Sequence, residues 1–152
     1  DDLDRGDFSK YDAIVTGVCQ EDNANYPDCR QSFIDAFHTM ASEALGQAAP
    51  EILTPLMNST KADTVRLAMQ LPGCYEALAY SHTAYSGEYP PPTQDHATVL
   101  RAAGFRDAGV PDPLIVRATL EGLMPFPEDD HYAIAREAAT VERVAHRIGA
   151  HP

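Results

Sequence analysis

A chain of 152 residues fits one domain and buries roughly 68–70% of its unfolded surface, so it needs neither a disulfide nor a metal merely to fold. Its formal net charge is −12, from 23 acids against 11 bases, and only Lys10 and Lys61 are lysines. That balance repels nucleic acid and anionic membranes, and no apolar run is long enough to span a bilayer.

Residues 1–8 are acidic, with no apolar signal core, and read as a flexible, processed or trimmed N-terminus. Residues 9–149 read as a single helical domain, and 150–152 as a tail. Ser9-Lys-Tyr-Asp12 resembles a capping box that opens a helix through Ala13, Ile14 and Val18. The β-branched run Ile14-Val15-Thr16, followed by Gly17, is the one stretch where a strand competes. After a polar loop over Glu21 to Tyr26, Pro27 suits a first helical position and Gly46 a stop. The helix between them, Asp28 to Leu45, carries the apolar stripe Phe33, Phe37, Met40, Ala44, with His38 on the neighbouring Ile34–Ala41–Leu45 edge.

Pro50 is expected to start a short helix over Glu51 to Met57, disturbed by Pro55. Thr60 and Asp63 open the next helix, which Pro72-Gly73 ends. A helix from Cys74 then places Tyr75, Leu78, His82 and Tyr85 on one side. Beyond a proline-rich connector to Pro92, Thr93 is expected to cap a helix ending at Gly104, with Phe105 to Pro111 as loop. Asp112-Pro113 starts an apolar helix over Leu114 to Leu123. The last helix, from Pro127 to Gly149, has acids in its first turn and Arg143, His146 and Arg147 near its end, opposing its dipole. The expected fold is therefore all-α, an irregular bundle of about seven short-to-medium helices joined by Pro/Gly-rich loops.

Four candidate chemistries follow from the residue types. His38, His82 and His131 share faces with apolar residues, and together with Tyr75 and Tyr85 they suit a flat, partly polar ligand, aromatic or tetrapyrrole-like, with haem as one form. The bland alternative for each histidine is a ring bonded to a backbone carbonyl. Glu128-x-x-His131 and Asp35-x-x-His38 have the spacing of a carboxylate–imidazole metal half-site. Cys74 at a helix start has its thiolate favoured, which allows a thiol-dependent enzyme, although one straight helix would hold it far from His82. Cys19 and Cys29 flank a loop that a disulfide can close.

Phosphate loops, nucleophile elbows and zinc-spaced cysteine pairs are absent. The leading expectation is a small, soluble, acidic binding protein or subunit holding a small aromatic ligand or a protein partner. The alternatives are a metal- or thiol-dependent enzyme on the same residues, or an accessory subunit of a larger assembly. The Cys19–Cys29 bridge, with the Asn58-Ser59-Thr60 glycosylation triplet, points to a secreted, periplasmic or other oxidising compartment; a cytoplasmic protein is the other option.

Overall fold

The computed structural model describes residues 11–19, 21–22 and 26–139. The expectations for the N-terminal tail, the C-terminal tail and the last helix beyond 139 lie outside the described residues. The chain forms two compact units, Asp1–Thr60 and Lys61–Pro152.

The first unit is α/β. Strand β1 (Ala13–Val15) and strand β2 (Glu51–Leu53) pair in parallel, with Ala13 opposite Glu51, Ile14 opposite Ile52 and Val15 opposite Leu53. Thr16 N–H donates to Leu53 O at 3.0 Å, and Glu51 N–H to Asp12 O at 3.3 Å. Parallel strands need a crossover, and helix α1 (Gln31–Leu45) supplies it.

This corrects the all-α expectation at both ends of the crossover. The helix expected from Ser9 gives way to β1 because Ile14, Val15 and Thr16 lose side-chain freedom in a helix and pack well on a pleated surface. The helix expected over Glu51 to Met57 is blocked by Pro55, whose ring would clash with the Glu51 carbonyl one turn back. Extended backbone at Glu51 instead finds the Asp12 carbonyl. Chain reversal follows at once, with Met57 N–H donating to Thr54 O and Met57 itself buried.

Helix α1 starts after an extended Arg30 and ends at Gly46, whose N–H donates to Glu43 O. Ile34 is its buried residue, whereas the Phe33, Phe37 and Met40 stripe faces solvent.

The second unit is helical. It comprises α2 (Lys61–Gln70), α3 (Cys74–Ala77) continued by a 3-10 turn (Leu78–Tyr80), α4 (His96–Ala108) and α5 (Pro113–Leu120). A further 3-10 turn, Asp130–Tyr132, leads into the helical segment 133–139. Ala62, Val65, Ala68, Phe105, Leu114, Ala118 and Tyr132 form its core.

Helix α4 is capped by Asp95, which accepts from Thr98 N–H at 3.0 Å, rather than by Thr93. It runs through Gly104, the expected stop, and ends at Gly109, whose φ of 77° is the left-handed conformation a glycine adopts freely. Gly104 has a packing role: a Cβ there would lie 2.7 Å from Lys61 Cβ, so the bare backbone lets α4 approach α2 closely.

The helix expected from Cys74 to Tyr85 stops at Tyr80, and Ser81 is extended. Its continuation would use the Leu78 and Ala79 carbonyls as acceptors for the amides of residues 82 and 83. Both are taken by arginines from elsewhere in the unit. Arg101 Nη2 donates to Leu78 O at 3.1 Å, and Arg117 Nη1 to Ala79 O at 2.8 Å. Arg101 also donates to Ser81 Oγ at 2.8 Å and grips Asp112 with two bonds, at 2.6 and 2.8 Å. Asp112 in turn caps α5, accepting from Leu114 N–H at 2.9 Å.

Two stability outcomes follow, both read by urea unfolding. Gly104→Ala gains helix propensity but drives a methyl into Lys61 beside its main chain. A net loss of about 1–2 kcal/mol is expected. Asp112→Ala removes the α5 cap and leaves the Arg101 guanidinium buried without its counter-charge, so a loss of about 3–5 kcal/mol is expected.

Candidate functional site

In an open parallel sheet, ligands bind beyond the carboxyl ends of the strands. For β1 that end runs into Thr16-Gly17-Val18-Cys19, and for β2 into Thr54-Pro55-Leu56. Cys19 is buried, and its thiol lies 3.4 Å from Asp22 Oδ2 as a weak donor. Tyr26 N–H donates to Asp22 O at 3.1 Å, and Cys29 N–H to Tyr26 O at 2.9 Å, closing the 3-10 turn Pro27–Cys29 that feeds the chain into α1. Asp28 is exposed in that turn. Thr54 Oγ1 donates to Gln31 Oε1 at 3.3 Å, tying the end of β2 to the first residue of α1.

Asp22, Asp28, Arg30 and Thr54 thus mark the rim of the carboxyl end. No side chain caps the first turn of α1, where the dipole is positive. A hollow of about 250 Å³, lined by Tyr11, Asp12, Leu45 and residues 47–50, lies at the amino ends of the strands. That is the end such sheets do not use.

The five residues expected to line a ligand pocket are placed differently. His38 belongs to the first unit, where its Nε2 lies 3.2 Å from Ala49 O. Tyr75, His82, Tyr85 and His131 belong to the second. Because the helix ends at Tyr80, His82 and Tyr85 do not share a helix face with Tyr75. His82 presents Nδ1 to Ala84 O at 3.2 Å and Nε2 to Glu88 O. Tyr85 is 82% exposed. Tyr75 packs edge-on to Phe105 and its hydroxyl donates to Pro111 O. His131 lies beside the Tyr132 ring at 4.5 Å.

Among the described residues no group of three or more His, Cys, Asp or Glu is placed to hold a metal ion. The Asp35 carboxylate accepts from Gln31 Nε2 at 2.8 Å, and neither the Asp35–His38 nor the Glu128–His131 pair acquires a third ligand. None of Cys19, Cys29 and Cys74 is in a disulfide, so the expected Cys19–Cys29 bridge is not formed.

The rim residues Asp22, Asp28, Arg30 and Thr54 were not singled out by sequence reasoning. The available signal was the order of elements: a β-branched triplet, a glycine and polar loop, an amphipathic helix, then a second short apolar segment.

The parallel strand–helix–strand crossover places the first unit in the α/β class. Sequence comparison gives the family. Residues 7–109 match the model described as queuosine biosynthesis protein QueC, a span from before β1 through α4, and the chain belongs to that family. Relatives named 7-cyano-7-deazaguanine synthase include one from Chromobacterium violaceum, 47% identical over 108 residues, covering 71% of this chain and 45% of its own length. Another, from Laribacter hongkongensis, is 47% identical over 104 residues (68% and 44%). A third, from Gloeobacter violaceus, is 49% identical over 105 residues (66% and 45%). The chain therefore spans under half the length of these relatives.

This corrects the expectation of a ligand-holding binding protein or accessory subunit, because the relatives are named as synthases. It also corrects the expectation of a secreted protein: the family is a biosynthetic one, and the disulfide that motivated export is absent. Among the described residues no helix is long and apolar enough to cross a membrane.

Tyr75 carries a pH signature. Burial first, then the Asp112 and Glu76 charges, push its hydroxyl from 10.0 up to about 12. Between these values the unfolded chain releases the proton while the folded chain keeps it, so stability falls as pH rises through that window. Below pH 10 the Tyr75 contribution is constant. Tyr75→Phe is expected to flatten this alkaline limb in urea unfolding series at pH 9 to 12. An unchanged slope would place the titration elsewhere.

Proposed function

We propose that the chain contributes the substrate-binding carboxyl end of a 7-cyano-7-deazaguanine synthase. The observation that carries the reading is the family match, which includes the whole β1–α1–β2 crossover and its carboxyl-end loops. The named product keeps the guanine edge, with a ring N–H beside an exocyclic amino group. Two adjacent donors suit one carboxylate, which accepts both. Asp28 is an exposed carboxylate in the turn that leads into α1, and it is assigned that contact. A cytoplasmic setting suits three cysteines outside any disulfide. The net charge of −12 favours a small heterocyclic substrate over a nucleic-acid partner.

The test is a segment exchange. Residues 7–109 replace the matched segment of the Chromobacterium violaceum synthase in cells whose own synthase gene is deleted. Mass spectrometry then measures 7-cyano-7-deazaguanine. The exchanged protein is expected to restore the product. Asp28→Ala is expected to lower it at least about tenfold at equal protein level, the size of a lost charge-assisted pair. A folded exchange protein that forms no product would overturn the reading, and an unaffected Asp28→Ala would remove Asp28 from the site.

A further inference from the structure

A hollow of about 560 Å³ opens in the second unit beyond the end of α5, and its lining lies outside the family span of 7–109. Its volume falls in the range of small-ligand pockets. The backbone builds its walls. Helix α5 closes with Gly122 N–H donating to Thr119 O and Leu123 N–H to Ala118 O, both at 3.0 Å. That closure uses the left-handed conformation of Gly122, at φ 78°. It sends Leu123, Met124 and Phe126 into one wall, where Pro125 and Pro127 restrict the chain. The helical segment 133–139 supplies Arg136 and Ala139. Arg136 Nη1 donates to the main-chain carbonyls of Pro127 and Asp129, the latter at 3.0 Å, and so ties that segment to the end of the first wall.

The charge of this lining runs against the chain. The sequence holds 23 acids against 11 bases, yet one arginine and, among the described residues, no acid line the hollow. Carbonyls orient a guanidinium but leave its positive charge in place. Thr119 is buried and spends its hydroxyl proton on Ile115 O at 3.0 Å, so the guanidinium is the side-chain donor that an anion meets here. The other side chains are apolar, and Met124 adds an adaptable thioether.

We propose that this hollow binds a small organic acid, with its carboxylate on Arg136 and its apolar body against Leu123, Met124 and Phe126. A guanidinium and a carboxylate form a charge-assisted pair, and the apolar walls keep that pair from competing water. A polyanion such as a nucleotide is the poorer occupant. One guanidinium matches one negative charge, and Glu128, Asp129 and Asp130 follow directly in the chain and repel a second.

The test uses the whole 152-residue chain and reads no product, so it succeeds or fails separately from the proposed activity. Octanoate, one carboxylate on an apolar chain, is titrated by calorimetry, with octanol as the uncharged probe. Octanoate is expected to bind with a Kd below about 1 mM. Octanol is expected to bind about tenfold more weakly, because the charge-assisted pair is lost, and Arg136→Gln to weaken octanoate by about the same factor. Since Arg136→Gln also unties the two walls, Leu123 supplies a second pair of variants. Its side chain is 52% exposed, so Leu123→Lys and Leu123→Asp are expected to keep the Tm within about 2 °C. Leu123→Lys is expected to tighten octanoate about threefold and Leu123→Asp to weaken it by about as much. No binding of octanoate would overturn the inference. So would equal affinity for octanol and octanoate, or an octanoate affinity that neither Leu123 variant moves.

Discussion

The second unit depends on one buried ion pair. Arg101 and Asp112 have side chains only 9% and 3% exposed, so both charges have left water, and their attraction must offset that loss. It does so because nearly every polar atom is used. Arg101 spends two donors on Asp112, one on Ser81 Oγ and one on Leu78 O, and its plane lies over the Phe105 ring at 5.2 Å. Asp112 accepts from α5 as well, and its own N–H reaches the Tyr132 hydroxyl at 3.3 Å. One pair therefore fixes α4, α5, the end of α3 and the turn before 133–139. Tyr132, buried among the same groups, has its hydroxyl proton held tightly, chiefly by that burial.

Arg117 repeats the device at the surface. Its Nη1 closes the Ala79 carbonyl, its Nε donates to Tyr89 Oη at 2.9 Å, and its guanidinium lies over the Tyr80 and Tyr89 rings at 4.8 and 4.3 Å. Tyr89 passes the bond on to Glu121 at 2.8 Å. Two arginines thus satisfy the consecutive carbonyls of Leu78 and Ala79 where the helix ends at Tyr80. Residues 81–95 then leave as an irregular connector. The Ser81 N–H and hydroxyl close the Leu78 carbonyl locally, and side chains from α4 and α5 add to that closure.

That distinction sets what was legible in the sequence. Signals acting within one turn were readable: Asp112-Pro113 begins α5, Gly46 ends α1, and Pro72-Gly73 separates α2 from α3. Signals acting across the chain were not. The partners of Ile14 and Val15 lie beyond the whole of α1, and a strand of three residues has too little alternation to declare itself. Gly104 reads as a stop because glycine usually is one, and only the nearby Lys61 shows that it is a contact. The helix through His82 and Tyr85 looked continuous because nothing local reveals that Arg101 and Arg117 claim its carbonyls.

Two of the histidines also act through contacts between segments. An imidazole on an apolar face attracts notice as a ligand or base, yet His38 and His82 both present ring nitrogens to main-chain carbonyls in their own neighbourhoods. They hold loops in place: His38 joins α1 to the segment entering β2, and His82 braces the connector after Tyr80. The carboxyl end of the strand pair differs in kind. Its side chains look ordinary one by one, and Asp28 reads in isolation as a simple solvated acid. Backbone topology brings two strand ends and a helix start together there, an arrangement that no residue reveals one by one.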